Sequence, residues 1–146
     1  VRSMGRTAHG VKGITLEAGD EVIGMETITP DSTTAIMTVT EGGYGKRTPV
    51  NDYRVQGRGG KGIISVKTTE RNGLAVGFLQ VREGDEIMLM AAKGKLLRCK
   101  VDDIREVGRN TQGVRVLDLD GDDDRVVGVA RLAEVVEAIP EDQPEA

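Results

Sequence analysis

A glycine followed by arginine, with a second glycine five positions after the first, occurs three times in this chain. The copies are Gly5-Arg6-Thr7-Ala8-His9-Gly10, Gly57-Arg58-Gly59-Gly60-Lys61-Gly62 and Gly108-Arg109-Asn110-Thr111-Gln112-Gly113, 52 and 51 residues apart. Each is followed by a β-branched residue: Val11, Ile63 and Val114. Self-similarity at a fixed period of this length means a stack of structural repeats, each burying its apolar faces against its neighbours.

The recurrence extends along the unit. Val22-Ile23-Gly24-Met25, Ala75-Val76-Gly77-Phe78 and Val126-Val127-Gly128-Val129 place a glycine 19, 20 and 20 residues after the first glycine of each copy. Ala35-Ile36-Met37-Thr38-Val39 and Glu86-Ile87-Met88-Leu89-Met90 each lead through a glycine and lysine, Gly45-Lys46 and Gly94-Lys95, into a last strand. Arg2, Arg54 and Arg105 each stand three residues before the next first glycine. Short Val- and Ile-rich runs bounded by turn formers read as strands. Each unit is therefore expected to be a blade of four short antiparallel strands, the size of a propeller blade. Only Ala130 to Ile139, stopped by Pro140, looks helical.

The expected repeats run over 5–56, 57–107 and 108–132. Residues 1–135 form the repeat-built domain and 136–146 an acidic tail. Two and a half blades make an incomplete disc, so the chain is expected to be the C-terminal part of a longer protein that self-associates through open blade edges. The fold class is all-β. With no tryptophan and only Tyr44, Tyr53 and Phe78 as aromatics, the core has to be filled by Val, Ile, Leu and Met. Absence of a long apolar run argues against a membrane span, and the single Cys99 against an internal disulfide; both fit a cytoplasmic protein.

The net charge of −4 conceals an uneven distribution, because residues 117–146 hold ten acidic and two basic side chains while residues 1–116 hold fourteen acidic and eighteen basic. Basic residues gather at the repeated turns: Arg6, Lys12, Arg58, Lys61, Arg109 and Arg115. If equivalent turns line up along one rim, their charges form a track suited to the phosphates of a nucleic acid, without base preference. The shortage of aromatics favours duplex over single strands, which are held by stacking. The plainer reading is that the glycines serve tight turns and the cations a solvated face. A turn needs glycine but has no need of arginine at the same offset three times.

Other groups offer little chemistry. His9 is the only histidine and Cys99 the only cysteine, so a His/Cys metal cluster or a Cys-His pair would have to use one of each, at mismatched strand positions. Asp118-Leu119-Asp120-Gly121-Asp122-Asp123-Asp124 resembles a calcium loop but lacks the glutamate at its twelfth position, where Val129 stands, and reads as a solvated turn. No metal ligand and no catalytic residue is assigned.

Several phrases resemble the C-terminal domain of the bacterial DNA gyrase A subunit. They are Met4-Gly5-Arg6-Thr7-Ala8, Gly43-Tyr44-Gly45-Lys46-Arg47-Thr48, Lys67-Thr68-Thr69-Glu70-Arg71-Asn72-Gly73 and Val107-Gly108-Arg109-Asn110-Thr111-Gln112-Gly113-Val114. The resemblance covers Val1 to about Val135 and implies a β-pinwheel, a propeller-like disc whose neighbouring blades exchange strands and around whose basic rim duplex DNA wraps. It adds Lys46, Arg47 and Arg71 to the candidate DNA contacts. The family's box of Gln, basic, Arg, Gly, Gly, basic, Gly is matched at six positions by Gln56-Gly57-Arg58-Gly59-Gly60-Lys61-Gly62, with Gly57 where a basic residue is expected. This degenerate copy implies that the intact box lies upstream.

The resemblance further implies a part in ATP-dependent negative supercoiling by a nucleoid-associated holoenzyme, whose other members are the gyrase B-type subunits and a second A-type subunit. ATP and Mg2+ would be the holoenzyme's cofactors; this chain would hold none. The DNA-cleaving tyrosine of that family lies in another part of the protein, so Tyr44 and Tyr53 are not assigned to cleavage, and Tyr44 is expected to pack or touch phosphate. Two alternatives stand beside this: the related domain of the topoisomerase IV A-type subunit, serving decatenation, and a protein-binding propeller fragment without DNA affinity. The tail with Glu134, Glu137, Glu141, Asp142 and Glu145 is expected to be a solubilising end or a competitor of DNA for the rim.

Overall fold

A computed structural model describes residues 2–29 and 33–132. Seven strands form two antiparallel sheets: β1 (Ala35–Thr40), β2 (Tyr44–Pro49), β3 (Ala75–Val81), β4 (Glu86–Ala91), β5 (Leu96–Lys100), β6 (Val114–Arg115) and β7 (Val126–Arg131). The first sheet has the order β3-β1-β2-β6 and the second β5-β4-β7. Among the described residues there is no α-helix; single turns of 3-10 helix follow β2 at Val50–Asp52 and β5 at Val101–Asp103. All-β blades of antiparallel strands are thus what the repeat predicts.

The two sheets share one pairing pattern. β1 meets β3 with a register shift at Thr40 opposite Ala75, and β4 meets β7 with the same shift at Ala91 opposite Val126. Apolar residues on facing sheets, Ala35, Met37, Val39, Leu79 and Val81 against Ile87, Leu89, Ala91 and Val126, make one core with Val101, Ile104 and Leu117. The core is aliphatic, as the aromatic-poor composition requires. At about 25 cal/mol per Å² of apolar surface buried, it is the main favourable term in holding the blades together.

Glycines decide how closely the blades approach. A Cβ on Gly77 of β3 would lie 2.7 Å from Val129 Cγ1 of β7, and one on Gly24 would lie 3.6 Å from Phe78 Cε1. Two of the three recurring glycines, Gly24 and Gly77, therefore sit where a segment presses on its counterpart in the next repeat; Gly128 has nothing within 4 Å.

Three expectations need correction. Val22–Met25 forms no strand: β3 and β7 pair with β1 and β4, and no strand among the described residues pairs with Val22–Met25. Val22, Ile23, Met25 and Ile28 are accordingly exposed. The helical reading of Ala130–Ile139 fails at its start, since Ala130 and Arg131 end β7; residues 133–139, like the acidic tail, lie outside the described residues. The pairing of Gly45-Lys46 with Gly94-Lys95 is also off by two residues. Val39 faces Gly45 and Met90 faces Leu96, so Gly94 corresponds to Gly43, with positive φ of 90° and 79°, and Lys95 corresponds to Tyr44. Leu97, not Lys95, stands at the place of Lys46. The two lysines share a strand face but sit two residues apart along it, Lys95 at the turn end and Lys46 further in.

Candidate nucleic-acid interface

The last glycine of each repeated turn has the left-handed backbone that only glycine adopts without strain: φ is 80° at Gly10, 79° at Gly62 and 78° at Gly113. This is the physical reason for its recurrence. Consecutive turns are bonded to one another. Gly59 N–H donates to Gly13 O at 2.7 Å, Thr15 N–H to Gly60 O at 2.8 Å, and Lys67 N–H to Thr111 O at 2.9 Å. The Thr15 hydroxyl adds a bond to Gly59 O at 2.5 Å, and Arg109 Nη1 one to Ile64 O at 2.9 Å. In each case the tip of one turn rests on the segment that follows the previous turn, which sets the three in a row.

The third turn is the most fully built, and β2 builds it. Its incoming leg runs parallel to β2 through Arg47 N–H to Arg105 O at 3.2 Å and Val107 N–H to Arg47 O at 2.8 Å. Its outgoing leg, β6, pairs with β2 antiparallel at Gly45 and Tyr44. Strand periodicity puts Tyr44, Lys46 and Thr48 on one face, and all three are buried. Thr48 Oγ1 donates to Val107 O at 2.8 Å, while Lys46 Nζ donates to Gly108 O at 2.9 Å, to Thr111 Oγ1 at 3.2 Å and to Arg109 O. Burial, with the neighbouring Arg109 charge second, lowers the Lys46 pKa to about 8.

Tyr44 carries the row one step further. Its hydroxyl accepts from Arg71 Nε at 2.6 Å and Arg115 Nη2 at 3.2 Å, and both guanidinium carbons lie near its ring, 5.1 and 5.5 Å from the centroid. The Arg115 hydrogen bond, ahead of Arg71, holds the phenol below its ordinary pKa although desolvation opposes it. Arg71 is delivered by a loop fastened on Asn72, which is wholly buried. Asn72 Oδ1 accepts from Thr69 N–H at 2.6 Å and from its hydroxyl at 3.0 Å, and Nδ2 donates to Lys67 O at 2.8 Å.

Of the sequence candidates, Arg6, Lys12, Arg58 and Lys61 are exposed on the turns, Lys61 within 4.0 Å of Glu17. Gln56, Gly57, Gly60 and Gly62 are exposed in the same turn and Gly59 is half-buried. Arg109 is half-buried, and Arg71 and Arg115 are exposed. Two candidates have other tasks. Lys46 spends its ammonium on the third turn and is 1% exposed, which removes it from contact with a ligand. Arg47, with its side chain 13% exposed, donates from Nε to Ile104 O at 2.7 Å and lies 3.9 Å from Asp102. Sequence reading missed Asn72 altogether; the alternation of Tyr44, Lys46 and Thr48 along β2 was the available sign that Lys46 is inward.

The remaining groups are placed plainly. His9 is exposed, and Cys99 is half-buried on β5, where burial, and Asp103 second, raise its thiol pKa. Tyr53 shares a hydrogen bond of 2.7 Å with Ser65. The acidic run is tied down by lysines: Lys93 Nζ to Asp123 at 2.5 Å and Lys95 Nζ to Asp120 at 2.7 Å. Asp124 accepts backbone N–H bonds from Lys93 and Arg125 at 3.1 and 2.9 Å. Burial pushes its pKa up, but those bonds outweigh it and the carboxyl is lowered. No helix among the described residues is long and apolar enough to cross a membrane.

Blades that lend a strand to the preceding sheet, as β6 does to β2, define a propeller-type repeat protein of the pinwheel kind. The family described as DNA gyrase C-terminal domain, beta-propeller, matches residues 1–29, 34–82 and 85–133. The chain belongs to that family.

The matched segments follow the blades, with β1, β2 and β3 in the second and β4 to β7 in the third. The DNA gyrase A subunit of Staphylococcus aureus strain MRSA252 is 48% identical over 143 residues, which are 98% of this chain and 16% of that protein. The protein of the same name from strain NCTC 8325 is 49% identical over 137 residues, 94% of this chain and 15% of its own length. The chain thus spans about one sixth of these relatives. Among solved structures, a DNA gyrase A C-terminal domain aligns with TM-score 0.77 and 31% identity, over 91% of this chain and 44% of that one. The C-terminal domain of DNA topoisomerase IV aligns with TM-score 0.76 and 28% identity, over 84% of this chain and 38% of that one.

Proposed function

We propose that this chain binds duplex DNA without sequence preference along the row of glycine-arginine turns, as part of the wrapping domain of a gyrase A-type subunit. One observation carries the reading: consecutive turns are hydrogen-bonded tip to segment, and the exposed cations Arg6, Lys12, Arg58 and Lys61 ride on turns held in that order. Phosphate contacts of this kind gain affinity by releasing counterions whatever the bases are. Wrapping also needs many of them, since bending 20–30 base pairs by 40–90° costs about 1–6 kcal/mol.

In the full-length protein such wrapping presents a DNA segment to the cleavage gate, and so serves ATP-dependent negative supercoiling. ATP, Mg2+, the B-type subunits and a second A-type subunit belong to that holoenzyme, in the cytoplasm at the nucleoid. The domain division at about residue 135 and the acidic tail from 136 to 146 remain part of this proposal, with the tail either solubilising or competing for the rim. A second reading, the A-type subunit of topoisomerase IV, is favoured by the departure of Gly57 from the box and by the nearly equal structural likeness.

The test is a gel shift with duplex DNA at low salt, repeated as salt rises. A shift that weakens log-linearly with salt supports the reading. No shift at any salt, with the protein folded by circular dichroism, refutes DNA binding and leaves a protein-binding propeller.

A further inference from the structure

Two equivalent corners of the fold treat positive charge in opposite ways. At the second sheet the corner residue is Lys95, and its ammonium is satisfied by Asp120 at 2.7 Å and by Asp118 O at 2.9 Å. At the first sheet the corner residue is Tyr44, and the residues around it come from three different repeats: Tyr44 itself, Arg71 and Arg115. Arg71 corresponds by register to Asp122, so one loop is basic where its successor is acidic. Arg71 makes no ion pair among the described residues, and Arg115 has only the exposed Asp118 at 3.3 Å. Two exposed guanidiniums thus converge on the hydroxyl of one buried tyrosine.

Like charges brought together by a built framework fit a multivalent oxyanion. The hydroxyl uses Arg71 Nε and Arg115 Nη2, leaving both Arg71 Nη groups to donate outward. Guanidinium forks match phosphate oxygens two at a time. Arg115 follows the third turn by two residues past Gly113, so the corner continues the row of turns. The adjoining cleft, lined by Gly42, Arg71, Arg115 and Arg125 among others, has a volume of about 580 Å³. Its walls also carry Glu41, Glu70 and Asp122, which disfavours free small anions and favours a ligand that reaches the arginines from outside.

We propose that Arg71 and Arg115, braced on the Tyr44 hydroxyl, form a phosphate clamp for the nucleic-acid backbone, separate from the exposed cations of the turns. The clamp rests on the duplex-binding reading above, and its ligand is a phosphodiester. The test is the salt dependence of duplex binding for Arg71→Gln and Arg115→Gln, with Arg58→Gln as the comparison and Arg71→Lys and Arg115→Lys as charge-keeping variants. Each Gln variant is expected to lower the magnitude of the log–log salt slope by about 0.9, the value of one phosphate contact. Each Lys variant should restore most of that slope, and the Arg71 and Arg115 side-chain Nε–H resonances should move on adding a short duplex. If Arg58→Gln lowers the slope while both corner variants only lower the melting temperature, the corner is a structural tie and the clamp is refuted. If no variant changes the slope, the turn reading fails and takes the clamp with it.

Discussion

Replacing Lys46 by methionine keeps most of the side-chain volume and removes only the ammonium that fills the third turn. Three acceptors lose the Lys46 donor: Arg109 O, Thr111 Oγ1 and Gly108 O, the last of which keeps the Thr111 hydroxyl at 2.9 Å. Bonds from a charged donor contribute about 1.5–3 kcal/mol each, though water can reach the exposed Gly108 and recover part. Against this stands the burial of the charge. Lowering the pKa from 10.5 to about 8 corresponds to about 3 kcal/mol, at about 1.4 kcal/mol per pKa unit. The difference leaves a net loss of about 3 kcal/mol at pH 7, a drop in melting temperature of about 6–12 °C for a chain of this size.

The pH dependence gives a second, independent reading. Because the folded pKa lies below the unfolded one, the unfolded chain holds more protons between about pH 8 and 10.5, and the parent gains stability from Lys46 as pH rises through that window. The gain is about 2 kcal/mol by pH 9.5 relative to pH 7, so the gap between parent and Lys46→Met should widen by that amount. Urea melts of both proteins at the two pH values measure it. Equal midpoints at pH 7 would refute the claim that Lys46 holds the turn, and a gap that does not change with pH would refute its burial as a charge.

Gly77→Ala puts a methyl 2.7 Å from Val129 Cγ1 and should cost about 1–3 kcal/mol by overpacking, read by thermal melting; Gly128→Ala, whose Cβ has nothing within 4 Å, should be milder. Tyr44 should titrate below its ordinary value of 10.0, and Arg115→Gln should move it back up, because that guanidinium is the first cause of the shift; ultraviolet titration of the phenol decides. Asn72→Ala should cost about 1–3 kcal/mol by leaving Lys67 O and Thr69 N–H unpaired, with amide exchange quickening first in the 67–73 loop. Arg58→Ala with Lys61→Ala should reduce the salt slope of duplex binding by about 0.9 for each phosphate no longer neutralised, with melting shifted by less than about 0.5 kcal/mol in free energy.

Local chemistry was legible in the sequence wherever it depended on a few neighbouring residues. The glycines of the three turns are required by a left-handed backbone at Gly10, Gly62 and Gly113, and the apolar runs of β1, β3, β4 and β7 declare themselves by composition and period. The repeat spacing itself then dictates blades, since each apolar run can bury its face only on a neighbour.

What the sequence could not decide was which side of each strand faces inward and which repeat supplies each partner. Lys46 and Lys95 look alike in sequence, yet the strand register sets them two residues apart, burying the first under the third turn and leaving the second at a corner with Asp120. Val22–Met25 has an apolar pattern like that at the start of β3 and stays unpaired, because a strand forms only where another edge satisfies its backbone. Tyr44 stands 27 and 71 residues from Arg71 and Arg115, and only the return of β6 to β2 brings all three to one hydroxyl. Turns are short-range and readable; pairing and convergence are long-range, and tertiary packing sets them.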